Sequence, residues 1–270
     1  MKVIILAAGY ATRLHPLTLD TPKPLLLVAG QPMINHVLEH VLPIGGIDRV
    51  IVVTNARFAE QFQAWADDYP TSHKVGKLAF TIVNDGSTED ANKLGAIGDI
   101  HFVLKNQKLD DDVIVVAGDN LFSQSLETFG RMAREKRTPL LALYDVGNLE
   151  AVKQYNSIAV GKDGRITAFE EKPTEPKSTL TGIALYFYPR HVLPFIRQYI
   201  AEGNNPDQPG RLVQWLYPKM PMLTWRVPGL WFDIGSKEAL EEANRVFASL
   251  PVPAPAAPAK PAVPVKSPAK

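Results

Sequence analysis

Short, unbroken apolar runs alternate with stretches of helical periodicity through the first 145 residues, and this alternation limits the fold more than any other feature. The run VIILA at 3–7 is the first. A strand covered on both faces reads as a continuous apolar run, whereas a half-exposed strand alternates polar and apolar residues. Ile34, Val37, Leu38, Val41 and Leu42 then repeat at helical spacing. Runs at 50–53, 78–83, 113–117 and 140–144 continue the strand series. Between them Phe58, Phe62 and Trp65, then Ile97, Ile100, Val103 and Leu104, then Leu126, Phe129 and Met132 mark helices. Strand and helix in strict turn predict an α/β fold: a Rossmann-like, mixed but mostly parallel sheet with helices on both faces.

After Asp145 the pattern changes. Residues 157–160 and 166–170, separated by the turn Lys162-Asp163-Gly164, read as a β-hairpin. Residues 183–188 and 223–227 read as strands and 189–201 as helix, and Ser236 is placed to cap a last helix carrying Leu240, Ala243 and Phe247. We expect one unit over 1–250, with a nucleotide half at about 1–145 and a smaller-substrate half at about 146–250. Open α/β sheets bind ligands at the carboxyl ends of their strands. Residues 251–270 are almost entirely Pro, Ala, Val and Lys, which predicts an extended, disordered tail.

Charge and composition exclude several classes. The formal net charge is +1, without the basic excess of a duplex-binding protein, so no nucleic-acid partner is expected. There is no cysteine, which removes thiolate chemistry and Cys-ligated zinc and fits a cytoplasmic location. No apolar stretch approaches the roughly 18 residues of a membrane span, and the first run ends in a glycine loop rather than a cleavage site. His36 and His40 are four apart on the first helix but lack a third ligand. No G-x-S-x-G elbow points to a hydrolase.

Five constellations carry chemistry, one of them the polar turn Asn84-Asp85-Gly86-Ser87-Thr88 after the third strand, running on to Leu94-Gly95-Ala96. Gly9-Tyr10-Ala11-Thr12-Arg13-Leu14 follows the first strand, with Pro22-Lys23-Pro24 beyond it. A small-residue loop there exposes N–H groups to phosphate. Arg13 adds a planar fork and Lys23 a compact charge. Neither a dinucleotide-binding loop nor a P-loop is present. Gly118-Asp119-Asn120 follows a buried strand, and Trp231-Phe232-Asp233-Ile234-Gly235 precedes the last helix. Phe169-Glu170-Glu171-Lys172-Pro173 sets a lysine beside two acids.

The stretch Leu6-Ala7-Ala8-Gly9-x-x-Thr12-Arg13-Leu14-x-Pro16-Leu17-Thr18, with Pro22-Lys23-Pro24-Leu25, resembles the N-terminal motif of the sugar-1-phosphate nucleotidyltransferases. Asp119, Glu171-Lys172-Pro173 and Trp231-x-Asp233-x-Gly235 follow in that family's order, and the resemblance covers roughly 1–248. It implies a nucleoside triphosphate and a sugar 1-phosphate as partners, with pyrophosphate released. It implies Mg²⁺ on Asp119 and Asp233, and catalytic roles for Arg13, Lys23 and Lys172. It places Leu6, Ala8, Gly9, Tyr10, Ala11, Thr12, Asn84 and Gly95 on the nucleotide, Gly95 leaving room for a flat ring. It places Tyr155, Asn156, Glu171, Lys172 and Thr181 on the sugar phosphate.

Two departures stand out: Ala11 replaces a second glycine of the motif, and Asn156 replaces a glycine of the sugar pocket. Thr181-Gly182 sits about two positions out of step with Tyr186-Phe187-Tyr188. Uridine or thymidine triphosphate with glucose 1-phosphate is the expected substrate pair. The alternatives are a cytidylyltransferase acting on a phosphorylated alcohol and a catalytically silent regulatory subunit. The resemblance leaves a homo-oligomer open. No left-handed β-helix repeat is expected after the catalytic unit.

Overall fold

In chain order the computed structural model, which describes residues 1–73 and 75–250, runs β1 (Lys2–Leu6), β2 (Leu27–Val28), β3 (Gln31–Pro32), α1 (Met33–Val41), β4 (Arg49–Thr54) and α2 (Ala59–His73). It continues through β5 (Ala79–Asn84), α3 (Ala96–Asn106), β6 (Val113–Ala117), β7 (Asn120–Phe122), α4 (Glu127–Lys136), β8 (Leu140–Asp145) and α5 (Leu149–Val152). The remaining elements are β9 (Asn156–Val160), β10 (Ile166–Glu171), β11 (Leu180–Tyr188), α6 (Leu193–Ala201), α7 (Pro209–Leu216), β12 (Leu223–Arg226), β13 (Trp231–Asp233) and α8 (Lys237–Ser249). The tail expected at 251–270 lies outside the described residues.

Seven strands form the central sheet in the order β12-β8-β11-β6-β1-β4-β5. All pairings are parallel except those of β11, which runs antiparallel between β6 and β8. Val3 and Ile5 of β1 face one apolar cluster, with α1, α4 and α8; Ile4 faces the other, with α3, α6 and α7. A strand buried on both faces has no place for polar residues, which is why β1, β4 and β6 read as unbroken apolar runs. The parallel order brings the carboxyl ends of β1, β4, β5, β6, β8 and β12 to one edge.

The expected hairpin is present, but β9 and β10 form their own two-stranded ladder rather than joining the main sheet. A second ribbon pairs β7 with β13. Neither three-residue strand was expected, and nor was α7. Pro209 takes the first position of α7, where its missing N–H is no loss, and Leu212, Val213 and Leu216 are buried. No helix among the described residues is long and apolar enough to cross a membrane.

Candidate active site

The loop after β1 is fastened at several carbonyls. Ala7 N–H donates to Val53 at 2.9 Å, and the fully buried Asn55 donates its amide to the Ala8 carbonyl at 3.0 Å. Thr18 donates its hydroxyl to the Ala11 carbonyl at 2.8 Å. Ala11 itself lies in the left-handed region, at φ 47° and ψ 41°. With the Ala8 and Ala11 carbonyls tied back, the N–H groups of Gly9, Tyr10 and Ala11 donate to no acceptor among the described residues. Consecutive free amides of this kind form an anion cradle.

Asp119 stands just past the end of β6, one residue beyond Gly118. A Cβ at Gly118 would come within 3.0 Å of the Pro24 ring, so the glycine lets the Pro22-Lys23-Pro24 segment lie across the strand end. Lys23 Nζ then forms an ion pair with one oxygen of Asp119. The other oxygen accepts from the Asn120 amide at 3.1 Å, and Asn120 in turn accepts from the Trp231 indole at 2.9 Å. The β7–β13 ladder sets Asp233 opposite Asn120 and so beside Asp119. Burial, then the negative charge of Asp119, push the Asp233 carboxyl up to about 6, while Lys23 and Arg13 pull it down. The Arg13 guanidinium reaches this cluster too, 3.8 Å from where a Cβ of Gly235 would stand. A cavity of about 140 Å³ is lined by Leu6, Ala7, Gly9, Ala11, Lys23, Pro24 and Asp119.

This donor set fits a divalent cation that relies on its substrate. Two carboxylates stand close together in a half-buried position, and the neighbouring Asp119 charge raises the Asp233 carboxyl, so a bound cation is favoured there. Among the described residues no group of three acidic, histidine or cysteine side chains stands ready for a metal. One or two carboxylates completed by phosphate oxygens and water is the usual magnesium pattern.

On the sugar side, Tyr155 packs edge-on against Trp231 at 5.6 Å between centroids. Its hydroxyl is held above the usual range by burial, then by Asp233, with Arg13 opposing and Asp119 adding to the rise. Tyr155 therefore belongs to the acid cluster. Lys172 is exposed, with its amide bound to the Tyr155 carbonyl at 2.8 Å.

Two expectations on this side, Asn156 and Thr181, need correction. Asn156 is buried, and its amide both donates to the Gly182 carbonyl at 2.9 Å and accepts from the Gly182 N–H at 2.6 Å. It clips β9 to β11 instead of facing a ligand. Thr181 is fully buried, its hydroxyl turned to the backbone of Asn156 and Gly182. The carboxyl of Glu171 points at Gly210, where an added Cβ would stand 1.8 Å from Oε2. That oxygen has no partner among the described residues, and burial lifts the group to about 7 against the pull of Lys172 and Arg211.

On the base side, Asn84 is exposed and its side-chain Oδ1 accepts from Gly86 N–H at 2.8 Å. Gly95 is buried, and a Cβ there would come within 2.6 Å of the Asp207 backbone. The room expected for a flat ring on that side of Gly95 is filled by the chain's own residues 206 and 207. A larger cleft of about 430 Å³ opens at the amino ends of β8 and β12, beside Lys136, Arg165 and His191, and contains none of these groups.

Asn55 was not anticipated, and Thr18 was noted only as part of the N-terminal motif, without its bond to the Ala11 carbonyl. Each acts through a backbone carbonyl, which no side-chain motif announces. Asn120 and Trp231 lie inside the motifs already noted, but their hydrogen bond appears only once β7 and β13 pair.

The chain matches the nucleotidyl transferase family over residues 2–249. A UTP–glucose-1-phosphate uridylyltransferase of Synechocystis sp. is 29% identical over 248 residues, 87% of this chain and 60% of that protein. A glucose-1-phosphate thymidylyltransferase of Neisseria meningitidis is 29% identical over 249 residues, 90% of this chain and 81% of that protein. The chain thus spans little more than half to four-fifths of these relatives' lengths. A solved structure of UDP-glucose pyrophosphorylase complexed with UDP-glucose shares the fold, with a TM-score of 0.76 at 21% identity over 91% of this chain and 97% of that one. The family match runs through nearly every described residue and takes in the amide loop, Asp119 and Asp233, and so the chain belongs to the nucleotidyl transferase family.

Proposed function

We propose that this chain transfers a nucleotidyl group from a nucleoside triphosphate to a sugar 1-phosphate. A phosphate oxygen of the sugar attacks the α-phosphorus, the bond to the bridging oxygen of the β-phosphate breaks, and pyrophosphate leaves with that electron pair. The observation that carries this reading is the meeting of Asp119, Asp233, Lys23 and Arg13 at the mouth of the free-amide loop.

The amides of Gly9, Tyr10 and Ala11 hold the triphosphate. Arg13 steadies it with two parallel N–H groups and meets the charge that develops as pyrophosphate departs. Lys23, half-buried on Asp119, turns from that carboxylate to a phosphate oxygen. Asp119 and Asp233 would hold Mg²⁺, which when bound would supply charge neutralisation for the two phosphates that must approach each other. Lys172, exposed and tied through its amide to the Tyr155 carbonyl, holds the attacking phosphate. Such chemistry asks little covalent work of the protein, so positioning and charge carry it.

Uridine or thymidine triphosphate with glucose 1-phosphate is the substrate pair we favour, because the relatives quoted above are named for those substrates. The test is pyrophosphate release from five triphosphates against glucose 1-phosphate, other sugar phosphates and phosphocholine. Turnover confined to CTP with phosphocholine would replace this assignment with the phosphorylated-alcohol one. Arg13→Ala should lower kcat by about 100-fold or more, since one oriented donor to developing charge is worth ~3 kcal/mol. A variant that turned over at the wild-type rate would remove Arg13 from the mechanism.

A further inference from the structure

Among the described residues a buried acid pair lies outside the Asp119–Asp233 cluster. Asp85, just past β5, is 7% exposed, and Asp99, in the first turn of α3, is 5% exposed. Asp85 closes the turn at residues 84–88. It accepts from the Ser87 N–H and from the Ser87 hydroxyl, both at 2.7 Å. Ser87 passes that constraint on: its carbonyl accepts from Ala56 N–H at 2.9 Å, and its hydroxyl lies 3.5 Å from that of Tyr10 in the phosphate loop.

Asp99 has no such set of donors. An acid in the first turn of a helix ordinarily meets free N–H groups. Here the carbonyls of Pro206 and Asp207 already take them, from Ile97 at 2.8 Å and from Ala96 at 3.1 Å. The Asp99 Oδ1 has no partner among the described residues. Its charged neighbours are acidic: Asp85 across the contact and Asp207 on the crossing segment. Lys93 is drawn to Asp207 and Asp90, at 3.4 and 3.3 Å. Helices α6 and α7, packed on α3, bring Arg197 beside His101 and Arg211 beside Tyr199, and neither arginine acts on Asp99. From the phosphate loop comes only Tyr10, whose phenol is itself raised by burial and by Asp85, Asp90 and Glu89.

Of two buried carboxyls in contact, one keeps its proton well above the usual carboxylate range. We propose that Asp99 is a positioning residue for the nucleotide: it shares one proton with Asp85, and that bond holds the turn at residues 84–88 against α3. With the proton present, Asp99 donates to Asp85, and Asp85 keeps its bonds to Ser87. With the proton gone, two carboxylates face each other and the turn is pushed away, taking Asn84 and the link to Tyr10 with it. Burial first, then Asp85, lift the Asp99 carboxyl to about 8, so the loss falls on the alkaline side of neutrality. Asp99 touches no reacting atom in this scheme. It acts through the turn on nucleotide affinity, and to that extent rests on the proposed activity.

The test compares wild type with Asp99→Asn, which keeps a donor toward Asp85 and cannot titrate. In wild type, KM for UTP or dTTP should rise roughly tenfold between about pH 7 and about pH 9, the effect of a shift near one pKa unit. Saturating kcat should follow the same pH course in both proteins. In Asp99→Asn, KM should change far less over that range. Ionisation of the base is common to both and cancels in the comparison. Asp85→Asn provides a second variant, because it removes the repulsion from the other side and should flatten the profile as well.

Hydrogen exchange at the Ser87 amide, in protein without substrate, reads the turn directly. Protection should fall above about pH 8 in wild type and persist in both variants. Parallel KM profiles together with parallel exchange profiles would overturn the proposal. Absence of turnover with every substrate pair would remove the activity instead, and the exchange comparison would still decide the fate of the latch.

Discussion

Ala11 takes φ 47° and ψ 41°, with its carbonyl held by Thr18 at 2.8 Å. A left-handed conformation costs an L-residue with a Cβ about 1–2 kcal/mol, and glycine gives back part of that through its freer unfolded chain. Ala11→Gly should therefore raise unfolding free energy by up to about 1 kcal/mol in urea titration and leave kcat near wild type. A drop in stability would mean that the Ala11 methyl makes a contact of value in the loop. The departure itself was legible from the order of residues around Arg13, and so was the glycine it replaces. Its backbone angle was not, because that depends on Thr18 closing the loop. Asn156 shows the opposite failure. Residue type suggested a polar group offered to a sugar, whereas the folded chain commits both ends of the amide to Gly182. Asn156→Gly should destabilise by roughly 2 kcal/mol, as expected for two buried hydrogen bonds lost. Its preference among sugar phosphates in the pyrophosphate-release assay should stay as in wild type; a changed preference would return Asn156 to the sugar site.

At the scale of elements, the strands of the main sheet were legible because burial on both faces leaves an apolar run. The short ribbon β7–β13 was not, since three residues carry no period, although it sets Asp233 beside Asp119. The same limit hid the bulge in β11. Gly182 opposes Leu143 and Tyr186 opposes Leu141, so four steps on β11 match two on β8. That excess accounts for Thr181-Gly182 standing out of step with the tyrosines, and it leaves Thr181 sealed in the interior. The crossing of residues 206 and 207 over the start of α3 was also illegible, because it joins segments more than a hundred residues apart. Gly95 has φ +80° there, and a Cβ would meet backbone at 2.6 Å. Gly95→Ala should lower unfolding free energy by about 2–4 kcal/mol, from strain and overpacking together. A thermal melt within a degree or two of wild type would show that the crossing segment yields easily.

Across the whole molecule, the sheet supplies the amide loop after β1 and Asp119 after β6, the two short ribbons add Asp233 and Lys172, and the two apolar layers keep the strand ends in register. Global stability should register the buried Asp99. Its folded carboxyl lies near 8 against an ordinary 3.8, so the native state binds the extra proton throughout that window. Stability from this group is full below about 3.8 and declines as pH rises toward about 8. Urea unfolding at about pH 5 and about pH 8.5 should show a larger alkaline loss in wild type than in Asp99→Asn, and equal losses would contradict the assignment.

The central claim is that Asp119 and Asp233 form one charge-neutralising centre for joining a nucleotide to a sugar phosphate. It is tested most directly by pyrophosphate release from UTP or dTTP with glucose 1-phosphate, with and without Mg²⁺, in wild type, Asp119→Asn and Asp233→Asn. The account predicts Mg²⁺-dependent release matched one for one by nucleoside diphosphate sugar, and rates lower by roughly 100-fold or more in either folded variant. Folded variants that turn over at the wild-type rate, or release that needs no sugar phosphate, would contradict it.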